Sequence, residues 1–208
     1  MKNRNIYAIT VLVGIYVTLQ LIADVAAVKI VDIWGITMPA GTFIFALTFT
    51  WRDMLHKRLG KEWARAAIIT AAAANLLMAF YFLFAIELNP AIWWGGQEAF
   101  EGTLGIVWRI AIASIVAELV SELLDTEVYH WAMSRISNRN QWGRVLLSNA
   151  ISLPMDSIIF ATIAFYGVMP FDGIVELVVG QIIFKAMVTV VSLPLIYTVP
   201  DGKLLEQS

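Results

Sequence analysis

An aspartate stands in the middle of the apolar run over residues 144–165, RVLLSNAISLPMDSIIFATIAF, and Lys185 stands in the middle of the next. Asn149, Ser152 and Asp156 follow at spacings of three and four, and Gln181 and Lys185 at four, so each set lies on one helix face. A carboxylate near a bilayer centre costs on the order of 3 kcal/mol on insertion scales, so Asp156 needs a partner, a water-filled cavity or a ligand. At about 1.5 Å per helical residue, Asp156 and Lys185 fall in the same layer if their helices are neighbours, as the short turn GVMPFDG suggests. Two readings are open. The pair staples two helices, or it lines a cavity and touches a polar solute. Removing one partner strands a charge in either case. Pro154 frees a backbone carbonyl near Ala150, which is tolerable only where protein or water covers it.

Other ionisable residues lie nearer the ends of apolar runs. Glu118, Glu122, Asp125 and Tyr129 share one face; Glu118 reads equally as cavity-facing and as part of a solvated helix end, and the deeper reading is weaker for Glu122 and Asp125. Arg109 either snorkels to the headgroups or presents its guanidinium to a planar acceptor. Asp24 and Lys29 read as an interfacial polar pair or as part of a site. Trp93 and Trp94 beside Gly95 and Gly96 suit an aromatic belt, with a stacking lid as the sharper alternative.

The elements that position these residues follow from composition. Of 208 residues, 60% are hydrophobic and 14% charged, more apolar surface than a soluble domain can hide. The expected fold is an all-α integral membrane protein, one domain of six spans near residues 6–31, 38–52, 64–86, 103–126, 145–167 and 174–199. The second apolar run is short, so it is tilted, partly re-entrant, or extended at its start through ITMPAG. The first is too long for a cleavable signal. Arg52, Lys57, Arg58, Lys61 and Arg65 lie between the second and third spans, and Arg135, Arg139 and Arg144 between the fourth and fifth. Lys2, Arg4 and Lys203 flank the ends, so with six spans all fall on one side, and both termini are expected in the cytoplasm.

The residue types argue against an enzyme. His56 and His130 lie in or near cytoplasmic segments, no Ser–His or Ser–Lys arrangement has a signature, and no clustered ligands suggest a metal. There is no Walker-type loop and no Cys. The net charge of -2 without a basic block gives no reason to expect nucleic acid. No cofactor is expected.

Several segments, in order, resemble one known family. PAGTFIFALTFTWRDMLHKRLGKEWAR, QEAFEGTLGIVWRIAIAS, the aspartate of SELLDTEVY, SNAISLPMDSIIFATIAFYG and the lysine and proline of FKAMVTVVSLPLIY are similar to motifs of the vitamin uptake transporter (VUT) family, whose best-known members are queuosine precursor transporters. The resemblance covers about residues 20–200. It implies a six-helix inner-membrane importer of 7-deazaguanine-type bases, such as 7-cyano-7-deazaguanine, 7-aminomethyl-7-deazaguanine or queuine. It also implies a fold reminiscent of the substrate-binding subunits of energy-coupling-factor transporters. The matching positions are Asp53, Arg109, Ser114, Asp125, Ser148, Asp156, Ser157, Phe160 and Lys185. Asp24, Ala46 and the His56–Lys57 pair depart from residues common in the family, namely Asn, Pro and Glu.

A deazaguanine presents adjacent N–H donors that a carboxylate can accept, a carbonyl that wants a donor, and a flat ring for aromatic walls. The expected binding residues are Asp156 for the donor edge, Lys185, Gln181 or Arg109 for the acceptor, and Phe160, Phe165 or Trp108 for the ring. Asn149, Ser152, Glu118 and Asp24 complete the candidates. The expected partners are the small deazapurine and the lipid bilayer, and a second copy of the chain stays open. The rival readings are a vitamin-binding subunit that needs a separate ATPase module, and a membrane scaffold whose polar midplane is only helix glue.

Overall fold

In a computed structural model of the chain, residues 2–135 and 141–198 are described, apart from some side chains near the helix ends. The order is α1 (Lys2–Ala26), β1 (Ile30–Ile33), β2 (Ile36–Pro39), α2 (Thr42–Leu59), α3 (Lys61–Glu87), α4 (Gln97–Leu104), α5 (Val107–Arg135), α6 (Gln141–Phe165) and α7 (Phe171–Thr198). Among the described residues, four segments are long and apolar enough to cross a membrane: Ile6–Ala26, Glu62–Glu87, Gln97–Ser121 and Phe171–Val191. The C-terminal part of α6, Ala150–Phe165, is a shorter apolar helix. The fold is that of an all-α, multi-pass membrane protein, with six long helices among the described residues.

Its surface is inverted relative to a soluble domain. Val11, Leu77, Phe80, Phe84, Val190 and Val191 are exposed, whereas Gln20, Asp24, Asp156, Gln181 and Lys185 are buried. Lipid solvates the first set, and the helix bundle must satisfy the second. Alanines line the internal contacts. Ala111, Ala113 and Ala117 of α5 and Ala161 and Ala164 of α6 are fully covered, and small residues let helix backbones approach closely where apolar burial between helices drives little.

The chain departs from the expected spans between α1 and α2. α1 stops at Ala26 instead of running to residue 31, and ITMP does not extend the second span helically but forms β2. Ile30 pairs with Pro39 and Ile33 with Ile36 in an antiparallel hairpin. Branched Ile, Val and Thr side chains favour strands. Trp34 (φ 56°) and Gly35 (φ 78°) form the two-residue loop, both in the left-handed region that such tight hairpin turns require. The Gly35 N–H donates to Asp32 Oδ1 at 3.1 Å and pins that turn.

Two glycines seat the hairpin and the helix that follows it. A Cβ at Gly180 of α7 would collide with the carbonyl of Thr37, and one at Gly41 with the carbonyl of Ala23. The backbone of β2 therefore packs directly on α7, and the start of α2 packs on α1.

Candidate functional site

Asp156 and Lys185 meet. The short turn makes α6 and α7 neighbours, and Lys185 Nζ donates to Asp156 Oδ2 at 2.5 Å and to Ser157 Oγ at 3.4 Å. Both side chains are only 2% exposed, so the pair is fully withdrawn from solvent. Ser121 of α5 donates to the other carboxylate oxygen at 3.4 Å. The ring of Phe45, from α2, lies with its centroid 5.2 Å from the ammonium, a cation–π contact.

A small pocket opens on the other side of Lys185, among α1, β2, α2, α5, α6 and α7. Its polar lining comes from Asp24, Thr42, Ser114, Gln181 and Lys185, and its aromatic walls are Phe45 and Phe160. The hollow thus lies off the ion pair, towards α1, and not between the last two helices alone. Asp156 stands behind Lys185 and does not line it. Ser114 Oγ donates to Asp24 Oδ1 at 2.7 Å. Asp24 Oδ2 and Gln181 Nε2 are buried without a hydrogen-bond partner among the described residues. An acceptor and a donor are thereby held ready in one cavity, an arrangement that costs free energy until something binds.

The match to protein families bears on what this cavity serves. Residues 39–199 match the family model described as "Putative vitamin uptake transporter". The chain belongs to that family. It is also 31% identical over 177 residues, 84% of its length and 77% of the relative's, to the "Probable queuosine precursor transporter" of Bacillus subtilis (strain 168). No solved structure matches it. The family match begins at Pro39, so it includes every pocket-lining residue except Ala23, Asp24 and Ala27. The chain is thus a multi-pass membrane protein of a transporter family, with a polar-lined pocket inside its helix bundle.

The remaining candidates of this family member fall elsewhere. Glu118 belongs to a second cluster: Gln20 Nε2 donates to Tyr16 Oη at 3.1 Å, Tyr16 Oη donates to Glu118 Oε1 at 3.3 Å, and Arg52 Nη1 lies 3.7 Å from that same oxygen. Tyr16, Gln20 and Asp24 recur every four residues, so this cluster lies along α1 from the pocket towards the N-terminus. Arg109 donates to the carbonyls of Ile163 and Tyr166 at 3.0 and 2.8 Å, and so caps the end of α6 instead of facing the pocket. Ser152 is buried but does not line the pocket, and neither do Phe165 and Trp108.

Lys29 is exposed and makes no pair with Asp24. Trp93 is exposed and Trp94 packs edge-on to Phe100, at 6.1 Å between centroids, so neither covers the pocket. The side chains of Asn149, Asp53, Asp125, Ser148, Glu122, Tyr129, His56 and His130 lie outside the described residues. Phe45 and Thr42 were not singled out from sequence. They sit in an apolar run with nothing to mark them, and only the approach of α2 to α7 brings them in.

Proposed function

We propose that the chain imports a queuosine precursor, a 7-deazaguanine-type base, across the inner membrane with both termini in the cytoplasm and all six long helices spanning. The observation that carries this reading is the pair of unused polar atoms in the pocket, Asp24 Oδ2 and Gln181 Nε2. They suit a ligand edge with an N–H beside a carbonyl, which is the lactam edge of a deazaguanine. Phe45 and Phe160 are the walls for its ring. The name of the B. subtilis relative points to the same cargo.

On this reading Asp24 takes the role first expected of Asp156, whose charge Lys185 already satisfies. Asp156 then fixes the position of Lys185. Arg109 holds α6, and the Glu118 cluster lies below the site. Adenine presents an acceptor and an amino group where guanine presents its N–H and carbonyl, so its amino group opposes the donor of Gln181.

The test is thermal unfolding of the purified chain in detergent with 7-cyano-7-deazaguanine or adenine. At a hundred times the dissociation constant, binding stabilises by about 2.7 kcal/mol. The deazaguanine should raise the midpoint and adenine should not. Equal effects, or none, sink the reading. One rival is a vitamin-binding subunit that works with a separate ATPase, and the family's description supports only its cargo, a vitamin. Uptake by the chain alone in liposomes excludes that rival.

A further inference from the structure

We propose that Asp24 binds a co-transported proton, taken up from the outer side with the cargo and released with it inside. This rests on the importer reading. Asp24 is 2% exposed, and among the described residues the one hydrogen bond to its carboxyl group comes from the Ser114 hydroxyl. Its Oδ2 has no partner among the described residues. Among the described residues no lysine or arginine forms an ion pair with it. Lys185 lines the same pocket, but its ammonium is engaged by Asp156, Ser157 and the ring of Phe45.

The other titratable groups that face Asp24 do not supply a cation either. On α1, Tyr16 lies below it. On α5, Glu118 is held by Tyr16 and by Arg52 of α2. On α6 and α7, Asp156 and Lys185 neutralise each other. β2 brings no titratable residue.

An isolated carboxylate closed off from water is far more costly than the neutral acid, so a pocket shut around Asp24 holds it with its proton. The protonated group then matches the cargo. Its O–H donates to the lactam carbonyl, and its other oxygen accepts the lactam N–H while still receiving Ser114. Acid and base thereby form a cyclic pair without net charge, and Gln181 Nε2 supplies a second donor to the carbonyl. Nothing charged is added to the membrane interior on the loaded stroke. Water entering the open pocket on the inner side solvates the carboxylate, the proton leaves with the base, and the emptied carrier returns with that carboxylate hydrated and takes up its next proton from the outer side. Proton and cargo share one carboxyl group, so an inward proton gradient drives accumulation.

The experiment uses the full chain in proteoliposomes, with labelled 7-cyano-7-deazaguanine and an imposed acid-outside gradient. Wild-type protein should accumulate the base above the outside concentration. Asp24→Asn mimics the protonated group, because an amide also offers a donor and an acceptor. It should still exchange labelled for unlabelled base, with affinity lowered by up to about tenfold, the scale of one altered hydrogen bond. Its accumulation ratio should fall to about one, whatever the gradient.

A second measurement needs no cargo. The infrared spectrum of the reconstituted protein should contain a protonated-carboxyl band that Asp24→Asn removes. Gradient-driven accumulation by Asp24→Asn, or a band that survives the substitution, overturns the proposal. So does loss of accumulation in Glu118→Gln with Asp24→Asn unaffected, since the proton would then belong to the lower cluster. If the base does not bind at all, the functional reading fails, and the infrared result still decides whether Asp24 holds a proton.

Discussion

Lys185 owes its place deep in the bundle to Asp156, and the two must be changed together. Either Asp156→Asn or Lys185→Met alone leaves a buried charge with no counterpart, at a cost of about 3–5 kcal/mol, whereas the double variant should recover most of that loss. Thermal unfolding of the three variants in detergent measures this, and a double variant no better than the singles contradicts it. Gln181 behaves in the opposite way. Its amide nitrogen lacks a partner in the empty pocket, so Gln181→Met should leave stability unchanged or raise it by up to about 1 kcal/mol. The same change should weaken deazaguanine binding by about tenfold or more, by titration calorimetry. Loss of stability without loss of binding would assign Gln181 to packing. Spacing alone brought out Asp156, Gln181 and Lys185. It could not tell which carboxylate faces the hollow, because both aspartates lie inside apolar runs and differ only in what stands across from them.

The hairpin is the element that sequence patterning did not resolve. Its branched residues are equally apolar in a helix or a strand over so short a run, and its seat depends on a glycine distant in sequence, Gly180. Gly180→Ala sets a methyl against the Thr37 carbonyl and should cost roughly 1–3 kcal/mol. Faster hydrogen exchange of the amides of β1 and β2, with the centre of α3 unchanged, is the expected signature. Trp34 is a bulky residue in a left-handed conformation (φ 56°) and is almost wholly exposed. Trp34→Asn should therefore stabilise the loop, by about 1 kcal/mol, and slow exchange in the hairpin. Because β2 ends at the pocket wall, at Pro39, the two changes should move base affinity in opposite directions.

The whole molecule is an inside-out bundle, and its orientation can be read with single cysteines because the natural chain has none. Arg65 lies at the basic side, at the start of α3, and Glu98 lies in the acidic, Trp-rich segment that carries α4. Both are exposed. Arg65→Cys should react with a membrane-impermeant maleimide only after the cells are permeabilised, and Glu98→Cys in intact cells. The reverse pattern would invert the molecule and the proposed direction of transport. The bundle also unites residues far apart in sequence. Asp24 of α1 meets Ser114 of α5 beside Gln181 of α7, with Phe45 of α2 and Phe160 of α6 as walls. No spacing rule within one helix could have joined them.

The amino-acid sequence by itself determined that the chain lives in a membrane as a bundle of helices, and which polar side chains are too costly to bury without a purpose. Those properties follow from local composition and from the helical repeat, both of which can be counted along the chain. Only the tertiary structure decided that Asp156 is spent on Lys185, that Asp24 is left with an unused oxygen, and that a strand hairpin stands beside the pocket. These depend on which helix faces which, set by small-residue contacts and glycine seats between segments that the chain order keeps apart.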